Sequence, residues 1–188
     1  MIDSSNLTND IFGYSCYALT FPVSPELTQK VSALERASLM TRAKIPAHIT
    51  VKGTFHRIDD LDEVRQTARE LITRVHRFWI SFEAAEVEFT DRGTAWLSVP
   101  ATIEMQHLHD RLVTEFKSLA TTVYPDDPYQ GHLTLFQEPQ GHGLAAASEL
   151  ARRTDFGPGF EAFAVDLWGR QGPAHGGEWR LVEQFPLA

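Results

Sequence analysis

One order of predicted elements occurs twice in the 188-residue chain, and it restricts the fold more than any other feature. In each copy, a strand and a helix are followed by a proline-containing loop and a second strand. The segments are strand 14–21, helix 25–40 and the strand beginning at His48, then strand 94–99, helix 103–119 and the strand beginning at His132. The repeated order, without repeated residue identity, predicts an internal duplication. Two such halves facing each other would bring the equivalent strands together across a groove.

The rest of the chain adds elements to this frame. These are a helix at 61–75, a strand with a bulge or bend at 79–90, a short helix at 144–153, and a terminal hairpin of strands 160–170 and 178–185. No linker or low-complexity segment separates them, so we interpret residues 1–188 as one domain of two tightly joined lobes. An apolar fraction of 43%, with twelve Phe and four Trp, is typical of a packed core.

Composition also restricts the class of protein. A net charge of −8 argues against an extended nucleic-acid surface, because such binding needs a broad basic face. No apolar run approaches the roughly 18–20 residues that span a bilayer, and the first twelve residues lack the pattern of a signal peptide. The single cysteine, Cys16, lies in an apolar stretch typical of a core thiol in a reducing compartment. We therefore expect a cytoplasmic monomer without a membrane partner.

The second strand of each copy begins with the sequence H-x-T, as His48-Ile49-Thr50 and His132-Leu133-Thr134. Eight His and sixteen Thr in 188 residues would produce about 0.7 such sequences by chance, so one occurrence alone carries no weight. Two occurrences at equivalent places, both followed by an aliphatic residue, are a much rarer coincidence. A purely structural role, with two half-buried histidines and with Thr present for its β-propensity, is therefore the weaker interpretation.

Side chains alternate along a strand, so His48 and Thr50 are expected on one face, roughly 6.5–7 Å apart along the strand. The same holds for His132 and Thr134. Two such pairs opposed across a groove would surround a phosphate. One imidazole can deprotonate a water or hydroxyl while the other protonates the leaving oxygen, since the ordinary pKa of histidine lies near 6.5. The Thr hydroxyls can hold the phosphoryl oxygens for in-line attack, and the scheme requires no cofactor.

Three further residues are candidates for substrate binding. Lys52 lies two positions beyond Thr50, where alternation would place it beside His48 as a cation for the phosphate or as an exposed strand lysine. Phe136 occupies the equivalent position of the other strand, for base stacking or for core packing. Tyr129 precedes the second motif and would either contact the substrate or anchor its loop. Trp96 is interpreted as a core residue.

The other histidines do not predict a metal site. His107 and His109 are two apart on a predicted helix and therefore do not share a face. No cluster has zinc-ligand spacing, and no cysteine is available for one. We predict a site that binds no metal.

The segments AHITVKGTF and GHLTLFQ resemble the paired signature of the two-histidine phosphoesterases, the superfamily of 2′-5′ RNA ligase-like proteins and cyclic phosphodiesterases. The resemblance covers most of the chain, including the 84 positions between His48 and His132. It implies a bilobal α+β fold with two antiparallel sheets flanking a central groove and helices on the outside. It also implies that the two histidines act as acid and base, with Thr50 and Thr134 as phosphate ligands, generally without metal.

The leading hypothesis is hydrolysis of a small nucleotide phosphodiester, such as a 2′,3′-cyclic phosphate or a 2′-5′-linked or cyclic nucleotide. One alternative is a module that binds nucleotides in the same groove without cleaving them. Another is RNA 3′-end processing or 2′-5′ RNA ligase-like activity, which would require a basic surface around the groove. The acidic composition favours a small nucleotide over an RNA polymer. The residues alone do not assign acid and base between His48 and His132.

Overall fold

The computed structural model describes residues 8–39, 45–83, 85–90, 93–123, 128–137, 139, 142–172 and 177–188. Four helices and ten strands lie in these residues. The helices are α1 (Pro25–Ala37), α2 (Leu61–Ile72), α3 (Ile103–Phe116) and α4 (Gly143–Arg153). The strands are β1 (Cys16–Pro22), β2 (His48–His56), β3 (Phe78–Ser81), β4 (Glu86–Phe89), β5 (Ala95–Val99), β6 (Thr121–Thr122), β7 (Gly131–Phe136), β8 (Gly159–Ala162), β9 (Ala164–Gln171) and β10 (Glu178–Pro186).

Three of the helices begin at a polar side chain that accepts hydrogen bonds from the first turn. Ser24 caps α1, where Pro25 supplies a fixed backbone angle at the first helical position. Asp60 caps α2 and Thr102 caps α3 in the same way. Each helix buries one apolar stripe, as with Leu27, Val31 and Leu34 of α1. No helix in the described part of the chain is long and apolar enough to cross a membrane.

The strands pair in antiparallel fashion throughout. Seven follow the order β10-β9-β1-β2-β7-β5-β4, β6 pairs with β2, and β3 and β8 form a separate two-stranded sheet. Within the long path, β2 and β7 share one register pair, Ile49 with Leu133, whereas neighbouring strands on either side pair over several residues. The two parts of the long sheet are thus joined through a single register pair. The predicted α+β class with antiparallel sheets is confirmed.

Contacts between the two predicted repeats occur in equivalent pairs. Strand β2 meets its counterpart β7, and β3 meets its counterpart β8. Helix α1 packs against α4, and α3 packs against α2. These two contacts are equivalent, because α3 is the counterpart of α1 and α2 is the counterpart of α4. Buried side chains of both halves form one hydrophobic core. Each contact of one predicted repeat thus has an equivalent in the other.

Two predicted strands are interrupted in the structure. The strand expected at 79–90 is two strands, β3 and β4, which belong to different sheets; residue 84 lies outside the described residues. The first strand of the predicted terminal hairpin is divided at Phe163 into β8, which pairs with β3, and β9, which pairs with β1 and β10. Both breaks have the same cause, because each segment leaves one sheet to join the other. The predicted helix 25–40 ends at Ala37, and residue 40 also lies outside the described residues.

Candidate active site

The two H-x-T sequences meet where the halves of the molecule join. Ile49 and Leu133 are register partners and are completely buried. Because the strands are antiparallel, the neighbours of this pair project to the opposite face from the core, with the two histidines placed diagonally. The structure therefore brings His48, Thr50, His132 and Thr134 together.

All four side chains line one cavity of about 560 Å³. Its volume lies within the ordinary range for small-molecule sites. Tyr129 and His109 also line it. None of the described residues around it is Lys, Arg, Asp or Glu. Among these described residues, the groups that could bind an anion are the imidazoles, the hydroxyl groups and the backbone N–H groups.

Both imidazoles are held in the same way by the backbone. Nδ1 of His48 lies 2.7 Å from the carbonyl oxygen of Pro46. Nδ1 of His132 lies 3.1 Å from that of Gln130, also two residues earlier in the chain. A carbonyl oxygen only accepts hydrogen bonds, so each Nδ1 carries a hydrogen and each Nε2 is the nitrogen that gains or loses a proton. Two rings fixed in this tautomer can serve as an acid and a base.

Both motif strands contain a β-bulge directly after the threonine. Thr50 pairs with Thr20 of β1, whereas Lys52 pairs with the adjacent residue, Leu19, so Val51 is the extra residue. The same shift in the other half makes Leu135 the extra residue, since Thr134 pairs with Trp96 and Phe136 pairs with Ala95. Adjacent residues of β1 or β5 face opposite sides. The bulges therefore turn the residue after them away from the site.

The predictions that Lys52 and Phe136 lie in the site are wrong because of these bulges. Lys52 is 1% exposed, and its Nζ donates to Oγ1 of Thr122 at 3.2 Å and lies 5.6 Å from the ring of Phe55. Phe136 is completely buried, with its ring centroid 6.5 Å from that of Phe89. Neither side chain lines the cavity. Regular alternation, assumed from the sequence, fails at the bulge.

Tyr129 lines the cavity and also anchors its segment. Its hydroxyl donates to the carbonyl oxygen of Thr50 at 3.0 Å, and burial raises the pKa of this hydroxyl. Its ring stacks on His109 at a centroid distance of 4.5 Å, and Nδ1 of His109 lies 2.7 Å from the carbonyl oxygen of Val51. The bulged backbone of the first motif is thereby tied to the segment that enters the second. No sequence signal indicated His109, because its contact depends on helix α3 packing beside β2.

Trp96 is a second residue that the sequence interpretation missed. It is half-buried, and its ring centroid lies 5.9 Å from that of His132. It lines a separate cavity of about 540 Å³ that shares Tyr129, Gln130 and His132 with the first. The feature that could have indicated Trp96 was its position in the strand next to the second motif. Among the described residues, no three His, Cys, Asp or Glu side chains converge to hold a metal ion.

Two histidines and two threonines from paired strands of an α+β fold thus line one cavity. The family model of the 2′-5′ RNA ligase superfamily matches residues 22–174. The chain belongs to this superfamily. No curated protein sequence matches the chain.

Solved structures with the same fold share few residues with this chain. The fold resembles Escherichia coli LigT with bound 3′-AMP at a TM-score of 0.57 and 12% identity, covering 92% of this chain and 97% of that one. It resembles a protein described as a phosphoesterase at 0.63 and 13%, covering 92% and 98%. It resembles TT0787 of Thermus thermophilus at 0.59 and 17%, covering 91% and 97%. At these identities the likeness establishes the fold.

Proposed function

We propose that the chain is a metal-independent phosphodiesterase that hydrolyses a small nucleotide phosphodiester, foremost a 2′,3′-cyclic phosphate. The observation that carries the proposal is the pair of imidazoles, each with Nδ1 bonded to a backbone carbonyl and both lining one cavity with two threonines. A site that only binds nucleotides has no need for two opposed imidazoles in matching tautomers. The crystallisation of LigT, a protein of the same fold, with 3′-AMP guides the choice of nucleotides to test.

In this proposal each Nε2 performs one proton transfer. One takes a proton from water as the water oxygen forms a bond to phosphorus. The other gives its proton to the ester oxygen as the bond between that oxygen and phosphorus breaks, so a cyclic phosphate becomes a monoester. Thr50 and Thr134 donate hydrogen bonds to the non-bridging oxygens. The net charge of −8 supports a compact substrate over an RNA chain, which needs a broad basic surface.

The test is turnover of 2′,3′-cyclic nucleotides in EDTA. We expect activity in the wild type and losses of about 10²–10⁴-fold in kcat for both His48→Ala and His132→Ala, the usual contribution of one general acid or base. His107→Ala is the matched control, because His107 is exposed and lies outside the cavity. A bell-shaped pH dependence of kcat/KM is expected from one protonated and one neutral imidazole. Nucleotide binding with no product from any diester, or full activity in both variants, would overturn the proposal.

A further inference from the structure

The cavity beside His132 extends to β4, an edge strand of the long sheet. It is lined by a row of cross-strand neighbours on the face that carries His132 and Thr134. Trp96 of β5 is the register partner of Thr134, and Glu88 of β4 is the register partner of Trp96. The Trp96 side chain is half-buried, and Glu88 is exposed. An aromatic plane and a carboxylate therefore lie side by side next to a histidine of the site.

The equivalent place in the first half is closed. There Thr20 is the register partner of Thr50 and is completely buried, and Asp166, the partner of Thr20, is 5% exposed. The Asp166 carboxylate accepts a hydrogen bond from Nε2 of Gln184 at 2.7 Å. A planar ring cannot lie over this row. The duplication thus leaves room for a base on the side of the second motif.

We propose that the cavity formed by Trp96, Ser98 and Glu88 binds the nucleobase of the substrate and selects guanine. This inference rests on the proposed function. A base with its sugar phosphate at His132 would stack on Trp96, and stacking on an aromatic side chain is available to every base. Glu88 adds the selection, because a carboxylate only accepts hydrogen bonds.

Among the four bases, guanine offers the best match to a carboxylate. Its N1–H and N2 amino group are two adjacent donors, which two carboxylate oxygens accept together. The donor groups of adenine and cytosine each lie beside a ring nitrogen that accepts. The N3–H of uracil lies between two carbonyl oxygens. Both arrangements place a lone pair against the carboxylate, which favours guanine by repulsion of the others.

Binding of nucleoside 3′-monophosphates by calorimetry tests this site without requiring turnover. In the wild type we expect guanosine 3′-monophosphate to bind at least tenfold more tightly than the uridine compound. Trp96→Leu should weaken all four by about 5- to 150-fold, the scale of one lost base stack. Trp96→Phe, which keeps an aromatic plane, should recover most of that loss. Glu88→Gln should weaken guanosine by about tenfold and strengthen uridine, because it removes the repulsion of the uracil carbonyl oxygens.

Two variants serve as matched controls. Glu86 lies on the same strand and is exposed but does not line the cavity, so Glu86→Gln should leave every affinity unchanged. Trp179 lines the main cavity with the Arg170 guanidinium 5.6 Å from its ring, and is the competing stacking surface. Equal affinity for guanosine and uridine overturns the selection by Glu88. Loss of binding in Trp179→Leu with retention in Trp96→Leu overturns the position of the base. Tight, selective binding without hydrolysis would support this site and count only against the proposed function.

Discussion

The two halves of the molecule share a backbone design but differ in what surrounds their motifs. Each has an H-x-T strand with a bulge after the threonine and a histidine bonded to the carbonyl two residues earlier. The cross-strand neighbours beside Thr50 (Thr20 and Asp166) are buried, whereas Trp96 beside Thr134 lines an open cavity. The arrangement of the two histidines is therefore the same in both halves, and the surface beside them is not. In a two-fold site, such a difference can give the substrate a direction.

A directed substrate would separate the roles of the two histidines. If the nucleoside lies on the side of His132, its ester oxygen leaves next to His132, and water attacks from the side of His48, in line with the breaking bond. His132 would then be the general acid and His48 the general base. The following experiments test the contrast between the halves, beginning with this division of roles.

The largest effect is expected from a substrate with sulfur in place of the bridging oxygen that the enzyme cleaves. A thiolate leaves without receiving a proton, so the general acid becomes dispensable. On the oxygen substrate, both His48→Ala and His132→Ala should lose about 10²–10⁴-fold in kcat. On the sulfur substrate, His132→Ala should regain most of that loss and His48→Ala should not. Product analysis first establishes which bridging oxygen leaves, and equal recovery in both variants would show that the roles are not divided.

A second contrast concerns the residue before each histidine, which is Ala47 in one half and Gly131 in the other. A Cβ on Gly131 would lie 2.7 Å from the carbonyl oxygen of Val99 and 3.2 Å from Cε of Met105. Gly131→Ala should therefore lower the free energy of unfolding by about 1–3 kcal/mol, the usual cost of overpacking. Ala47→Gly should lower it by about 0.5–1 kcal/mol, through added freedom of the unfolded chain. Urea unfolding measures both, and a Gly131→Ala protein as stable as the wild type would contradict the close approach.

The sequence predicted the parts of this fold that depend on local pattern. The antiparallel α+β class follows from periodicity, and the expectation that the four motif residues lie close together follows from the repeated order of elements. Lys52 and Phe136 could not be placed correctly, because a bulge leaves no mark in the hydrophobic alternation of so short a segment. The breaks at 79–90 and at Phe163 were missed because a strand that changes sheets keeps its β-propensity. Trp96 and His109 required the register of strands and the packing of a helix, which only the tertiary structure supplies.

The smallest effect is expected at two carboxylates in equivalent positions of the two halves, Asp166 and Glu88. Burial raises the pKa of the Asp166 carboxyl, an effect that the hydrogen bond from Gln184 offsets in part. The folded state therefore holds the Asp166 proton more tightly than the unfolded state does. The ionised carboxylate lowers stability at pH 7, and this cost disappears as the pH falls towards the ordinary carboxyl pKa of about 4.

Asp166→Asn keeps an oxygen that can accept the hydrogen bond from Gln184 and removes the buried charge. The free energy of unfolding should rise by about 1 kcal/mol at pH 7, a scale common for stabilising substitutions, and the gain should shrink between pH 7 and pH 4. Glu88→Gln, at the exposed equivalent position, should change stability little at either pH. Denaturant unfolding across this range measures the difference. A gain in stability that is independent of pH would mean that the Asp166 charge is not its source. A loss of stability at pH 7 would mean that the packing of Thr20 and Asp166 depends on the carboxylate.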